Sequence, residues 1–474
     1  MILLPIVYII DSKFLKTIYN LIDLWYYIVM KKIEITNEIK VIFDTLNSAG
    51  YECFMVGGCV RDFLLNKTPN DVDFTTNATP DEMKQCFKDF NVIETGVKHG
   101  TLTVIVNHIP FEITTYRIDG EYLDNRRPES VVFVKDIKND LARRDFTINA
   151  IAYNPNIGFV DCFNGMQDLK DRIIRCVNEP TKRLNEDALR ILRALRFASV
   201  LGYEIEHETE KACFELAYLL KNISAERIAV ELFKTIVQPN SHKIIFDYVD
   251  IWGVVIPELL KMKGFKQHNP HHIHDVLKHT CVALEGANDD LIVRLAVLFH
   301  DIGKPDSFTM DEKGNGHFYG HALRSVDITK EILNRLKVDN NTKNQVLTLI
   351  KYHDLDLQPT ERYVRRLCYK LGDLDMVKKL ILVQRADNFG QAPIHNERIE
   401  KFNQIDNIIN KLEHENLSFS LKDLAVNGND MINLGLTGKD IGASLKYLLE
   451  AVLNDEVKND KQSLLDYLTK NKSK

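Results

Sequence analysis

Between residues 33 and 160, apolar positions come in short bursts separated by polar, turn-forming stretches, a pattern of alternating helices and strands. A helix is predicted over Ile39–Ala49, followed by the strand YECFMVGG and a second apolar stretch ending at NDVDFTT. A helix over Pro80–Phe90, the strand TLTVIV and the strand FEITTYR come next. From about 166 to 260 the strand signal vanishes, and Leu189, Leu192, Leu195 and Phe197 recur at helical spacing. Residues 265–395 also read as helices and gather many of the histidines around HDIGKP. The tail from about 396 is helical apart from a glycine-rich break, NGNDMINLGLTGKDIG. The predicted fold class is therefore α+β, a head with a mixed sheet followed by all-helical parts. Neither an internal repeat nor a low-complexity stretch interrupts it.

At 474 residues the chain has room for several domains of roughly 100–200 residues each. We divide it into an apolar extension (1–29), a head (30–165), a helical neck (166–260), a histidine-rich helical domain (261–395) and a helical tail (396–474). Apolar residues at 45% and charged residues at 27% are ordinary for a globular protein with a sizeable core. The net charge of −6 does not itself point to nucleic acid, although a basic groove in one domain would be averaged away. Eight cysteines without any CxxC pair read as reduced thiols of a cytoplasmic protein. In the first 29 residues Asp11, Lys13, Lys16 and Asp23 interrupt the apolar run, which falls short of the ~18 residues a membrane span needs. With MKKIEI opening at Met30 like an ordinary N-terminus, this segment reads as an upstream translation-start extension or an accessory helix rather than a membrane anchor.

The first candidate chemistry is acidic. Asp71 and Asp73 stand two apart in NDVDFTT, so on a strand both carboxylates point the same way. Glu112, on the strand FEITTYR, can bring a third carboxylate alongside. Convergent carboxylates repel unless divalent cations neutralise them, and Mg²⁺ prefers such oxygen ligands while keeping sites for nucleotide phosphates. Upstream, Gly57 and Gly58 in GGCVRD follow an apolar strand and precede a helical FLL. Paired glycines let backbone N–H groups approach a triphosphate, or make a plain strand-to-helix turn. Arg61 either adds charge there or pairs with Asp62.

GGCVRD, NDVDFTT, TGVKHGTLTV, FEITTYR, LARRDFTINAIAY, DCFNGMQDL, EDALRILRALRFA and SAERIAVELFK follow one another over about 55–235. With them the chain resembles the polymerase-β-like tRNA nucleotidyltransferase family, shared by bacterial CCA-adding enzymes and poly(A) polymerases. The resemblance implies that Asp71 and Asp73 are catalytic metal ligands, and that Arg143, Arg144, Asp145 and Asn149 shape the nucleotide site. Both arginines would contact phosphates, while Asp145 and Asn149 would position the ribose and the loop. The polar segment 114–130 is similar to the family's mobile loop. Two-metal transfer of a nucleotide from CTP or ATP to a tRNA 3′ end is the implied reaction.

Asp187 and Arg190, three apart in the helical stretch EDALR, would share a face. An acceptor beside a donor suits the Watson–Crick edges of both cytosine and adenine and opposes those of uracil and guanine. The family resemblance assigns base reading to the same two positions. Arg193 and Arg196 continue the face of Arg190, where phosphate contacts would give sequence-independent RNA affinity.

A second chemistry is predicted in the histidine-rich part. His279, the adjacent His300 and Asp301, and the distant Asp387 form a mixed imidazole and carboxylate set suited to a divalent transition metal. This looks like an HD-type phosphohydrolase domain, in which His321 and His353 match positions that bind a second metal or a substrate phosphate. Trimming of damaged or 2′,3′-cyclic phosphate tRNA ends would suit it. In the tail, Gly428, Gly435, Gly438 and Gly442 either present backbone amides to phosphates or cap helices. Competing readings are a poly(A) polymerase, an enzyme adding only CC or only A, and an HD hydrolase whose head merely binds RNA.

Overall fold

The computed structural model describes residues 33–120, 130–268, 273–392, 397–414 and 421–471. The extension 1–29, nine residues of the polar loop (121–129), His271 and His272 lie outside the described residues. The chain divides into two compact units, Met1–Ile223 and Ser224–Lys474, a boundary that falls inside the stretch expected as one neck.

The first unit is built on a seven-stranded sheet of order β3-β4-β5-β2-β1-β8-β9. Its strands are β1 (Cys53–Val56), β2 (Asp73–Thr76), β3 (Asn91–Gly96), β4 (Thr101–Val106), β5 (Ile109–Thr115), β8 (Ile151–Asn154) and β9 (Gly158–Asp161). A separate antiparallel ribbon joins β6 (Arg117–Asp119) to β7 (Val131–Phe133). Central β1 is buried along its whole length, as its unbroken CFMV run requires. In β4 the alternation TLTVIV buries Leu102, Val104 and Val106. All neighbouring strands run antiparallel except β2 and β5, which pair in parallel with Asp73 opposite Glu112.

Alternation decides which face those acids take. Phe74 and Phe111, one step along from Asp73 and before Glu112, meet edge to face at 5.9 Å. Phe74 also packs at 5.4 Å on Phe43 of the helix Asn37–Ser48, which Thr36 caps. With the rings committed to that core, Asp73 and Glu112 are turned to the opposite face.

Two sequence expectations for the neck are corrected. EDALR is not one helix: a helix Pro180–Glu186 ends, Asp187 is extended (φ −137°, ψ 102°), and a second helix runs Leu189–Leu201. The Asp187 carboxylate accepts the Leu189 N–H at 3.1 Å, so it offers the backbone an alternative to helical continuation. Strands do not vanish either, since Ile173–Ile174 pairs in parallel with Glu204–Ile205.

In the second unit, the helix Leu291–Phe299 is buried from Val293 through Phe299 and packs on Asn340–Tyr352 and Leu374–Gly390. A helix Val276–Gly286 lies against Leu374–Gly390. A two-residue hairpin, Thr309–Met310 with Gly316–His317, interrupts the helices where none was expected. The tail helices Lys439–Leu453 and Lys461–Asn471 close over Leu424, Met431, Leu448, Leu449 and Leu464. Gly435 takes φ +81° just past the helix Gly428–Asn433, and Gly438 takes φ +55° before Lys439–Leu453. Among the described residues no helix is long and apolar enough to cross a membrane.

Candidate active site and a buried histidine–aspartate cluster

Strand alternation covers only part of the acidic site, because β2 starts at Asp73 and Asp71 lies on the exposed segment before it. Parallel register sets Glu112 directly beside Asp73. Burial, together with the charges of Asp71 and Glu112, pushes the Asp73 carboxyl up to about 6, and Arg144 works against the rise. Three mutually repelling oxygen donors are the donor chemistry that Mg²⁺ fits.

The paired glycines meet this site from the other side. Gly57 adopts φ +82°, ψ −133° at the start of the short helix Gly58–Leu64. A Cβ at position 57 would lie 3.0 Å from Arg144 Nη1, the movable end of a side chain, so it is the backbone angle that calls for glycine. Arg144 Nε is buried and has no hydrogen-bond partner among the described residues. Fully buried Asp140, which the sequence reading missed, accepts Arg143 Nε at 2.9 Å and Arg144 Nη2 at 3.3 Å. The spacing of NDLARR, three and four residues along a helix, was the available signal.

Asp145 and Asn149 come together as expected, but within a network that occupies their polar atoms. Asp145 Oδ1 accepts the Phe146 N–H at 2.8 Å and Asn149 Nδ2 at 3.1 Å. Its Oδ2 accepts Arg193 Nε at 2.8 Å and Nη2 at 2.5 Å. Despite burial, Arg193 and Asn149 hold this carboxyl well below the usual carboxylate range. Asn149 Oδ1 in turn accepts Arg61 Nη1 at 2.8 Å, and Arg61 pairs with Asp62. Arg61, Arg193 and Arg196 surround the Phe197 ring at 5.1, 5.4 and 4.3 Å. Arg193 and Arg196 were expected to face RNA phosphates; in this conformation Arg193 is committed to Asp145 and Arg196 stacks on Phe197.

Asp187 and Arg190 stay neighbours through one turn, with the Arg190 N–H on the Asp187 carbonyl at 3.0 Å. Arg190 is buried and donates to Glu186 Oε2 at 2.8 Å, the Arg183 carbonyl at 2.8 Å and the Arg143 carbonyl at 3.1 Å. Arg183 donates to the Ala142 carbonyl at 2.7 Å and the Arg143 carbonyl at 3.3 Å.

In the second unit, His279, His300, Asp301 and Asp387 converge, and His321 and His353 join them. Each imidazole has Nδ1 on a backbone carbonyl: His279 on Gly390 at 3.0 Å, His300 on Val297 at 2.7 Å, His321 on Phe318 at 2.9 Å and His353 on Ile350 at 2.7 Å. A carbonyl only accepts, so Nδ1 carries a hydrogen in every ring and Nε2 faces inward, as a lone pair wherever the ring is neutral. His279 and His300 then oppose Nε2 atoms at 3.3 Å, and so do His321 and His353. Two lone pairs at that separation need a proton or a cation between them.

Asp301 spans both pairs. Its Oδ2 lies 3.3 Å from His279 and 3.2 Å from His300, and its Oδ1 lies 3.5 Å from His321 and 3.9 Å from His353. Asp387 Oδ1 closes the first group at 3.0 Å from His279, and Gln391 holds its other oxygen at 2.8 Å. Burial opposes a charged ring, yet Asp301 and Asp387 carry His300 up to about 10; burial and the His300 charge push His353 down to about 3. Gly390 is required here too, because a Cβ would meet the His279 ring at 2.9 Å. His317 stands apart, paired with Asp311 at 3.1 Å.

Comparison with known proteins places this geometry. The family model "Poly A polymerase head domain" matches residues 53–175 and "Probable RNA and SrmB- binding site of polymerase A" matches 202–259. "tRNA nucleotidyltransferase domain 2 putative" matches 322–468. The CCA-adding enzyme of Lactobacillus helveticus is 33% identical over 434 residues, covering 90% of this chain and 95% of that one. This chain belongs to the CCA-adding enzyme family. Its relative in Staphylococcus haemolyticus is 31% identical over 446 residues, 92% of this chain and 98% of that one. The crystal structure of the Bacillus stearothermophilus CCA-adding enzyme in complex with CTP superposes with a TM-score of 0.69 at 27% identity, covering 93% and 98% of the two chains. The Thermotoga maritima CCA-adding enzyme complexed with tRNA shares the fold, with a TM-score of 0.55 at 20% identity. Residues 260–321, with His279, His300, Asp301 and His321, fall between the matched family models.

Proposed function

We propose that this chain adds C, C and A to the 3′ end of tRNA from CTP and ATP without a template, with Asp71, Asp73 and Glu112 as the chemical centre. The observation that carries the reading is the parallel register of Asp73 with Glu112 beside Asp71, in a chain of the CCA-adding enzyme family. These three acids would hold Mg²⁺, which supplies charge neutralisation at the triphosphate and at the attacking 3′-hydroxyl. Arg144, packed on Gly57 with an Nε that has no hydrogen-bond partner among the described residues, binds the triphosphate, and Arg143 sits beside it. Asp187 and Arg190 read the shared acceptor–donor edge of cytosine and adenine. The residues 166–260 act as neck, 261–395 as an HD-type domain and 396–474 as a tRNA-binding tail, and the protein works in the cytoplasm.

The test is incubation of tRNA lacking its terminal trinucleotide with CTP alone, ATP alone and both. Addition of CC with CTP alone and of CCA with both supports the reading. A poly(A) tail with ATP alone, or failure to pass CC or to start without it, replaces it with one of the relatives' specialised activities. Asp71→Ala abolishes addition while sparing tRNA binding; survival of addition would rule out this metal site.

A second activity is favoured by the facing Nε2 pairs around Asp301. His279, His300, Asp301 and Asp387 would hold one divalent transition metal and Asp301, His321 and His353 a second, suited to phosphoester hydrolysis at tRNA ends. Metal analysis of the purified protein, with hydrolysis of a 2′,3′-cyclic phosphate tRNA end as readout, tests this. Retention of that hydrolysis in His300→Ala would dismiss it.

A further inference from the structure

We propose that Asp140 is a positioning residue for nucleotidyl transfer, fixing Arg144 and Arg143 against the strands that carry the acidic site so that the triphosphate meets preset guanidiniums. The inference rests on the reading of the head as the site of CTP and ATP use. Asp140 is wholly buried in the helix Ile137–Ala142, too deep to touch substrate itself. Each of its oxygens holds one arginine and one group of the sheet region. Oδ1 takes Arg143 Nε at 2.9 Å and the Arg117 N–H at 3.4 Å; Oδ2 takes Arg144 Nη2 and Thr75 Oγ1, both at 3.3 Å.

Thr75 lies two residues beyond Asp73 on β2, and its hydroxyl also reaches the carbonyl of Thr114, two residues beyond Glu112 on β5. The period of two places Thr75 on the face that carries Asp73, roughly 7 Å further along the strand. Asp140 is thereby anchored to the two strands that hold the acids. From that anchor Arg144 extends back to Gly57, with Nη1 at 3.0 Å from the position a Cβ would take. Two guanidiniums share the Asp140 carboxylate, Arg144 also faces Asp73, and the buried Arg144 Nε is a donor without a partner among the described residues. A triphosphate oxygen supplies the missing acceptor. Preset donors cost no rearrangement when the substrate arrives.

The experiment measures KM for CTP and for tRNA, kcat, and the inhibition constant of pyrophosphate in the full chain carrying Asp140→Asn or Thr75→Val. Melting curves check folding. Wild-type addition of C, C and A in the same assay secures the underlying reading independently. For Asp140→Asn we expect KM for CTP and the pyrophosphate constant to rise together by about tenfold or more, with KM for tRNA within twofold. Thr75→Val, which removes one anchor and leaves every charge, moves the same two constants about two- to fivefold. A merely structural role lowers the yield of active enzyme and leaves both constants unchanged, and that result overturns the proposal. So does an equal rise in the tRNA constant. If Asp140→Asn does not fold, Thr75→Val decides alone.

Discussion

Arg193 ties the helix Leu189–Leu201 to the segment that carries Asp145 through a carboxylate that is 8% exposed, and Arg193→Met tests how much that tie stabilises the head. Removing the guanidinium leaves Asp145 with the Phe146 N–H and Asn149 Nδ2 as donors and only the more distant charge of Arg190 as a cation. Breaking a buried ion pair from one side costs about 3–5 kcal/mol. The Arg193 side chain is 33% exposed, so solvent screens part of the loss and about 2–3 kcal/mol is expected. That corresponds to opening of this region about 30- to 150-fold more often. The sign with pH follows from the depressed Asp145 carboxyl. In the wild type its contribution is complete above the unfolded value of about 3.9 and is lost as pH falls through the lower folded value. Without Arg193, burial dominates and the carboxyl rises, so the deficit is largest at neutral pH and narrows toward about pH 4. Hydrogen exchange of peptides covering 141–154 and 189–201 reads it directly. Asp145→Asn combined with Arg193→Met should recover at least half of the loss, since no buried charge is then stranded. Exchange within twofold of wild type, or a deficit that does not change with pH, would refute the reasoning.

Gly57→Ala should cost about 1–3 kcal/mol from its positive φ alone and displace Arg144, which shows as a raised KM for both nucleotides with tRNA binding retained. His300→Ala should lower bound transition metal in elemental analysis while leaving nucleotide addition within about twofold; loss of both properties together would argue against separate sites. Treatment with a chelator should stop addition, and Mg²⁺ should restore it even in the His300→Ala protein.

What the sequence made legible follows the strength of each local signal. Strands β1 and β4 were found because CFMV and TLTVIV carry the two clearest strand patterns, continuous and alternating. Strand β3 (NVIETG) lies at a sheet edge with Glu94 in it, and β8 follows the polar run LARRDFTIN, which leaves too short an apolar stretch to show a strand period. The two-residue spacing of Asp71 and Asp73 was readable, although only Asp73 is on the strand; Glu112 gains its place from pairing between strands, which no local window contains. Asp187 misled for a different reason. Helical propensity around it is high, and only its side-chain bond to the Leu189 N–H breaks the run. In the histidine cluster the residue types were readable, whereas the backbone carbonyls that aim every Nε2 inward depend on the packing of helices far apart in the chain.

Arg183 and Arg190 grip the backbone of residues 142 and 143, not their side chains. Such grips to main-chain carbonyls, each worth about 1.5–3 kcal/mol, hold whatever residue types stand there. They tie the turn at Asp187 to the segment that carries Arg143 and Arg144. If Asp187 and Arg190 read the base and Arg143 and Arg144 meet the phosphates, as proposed, the two ends of a bound nucleotide would be held by parts that move together rather than slide past one another.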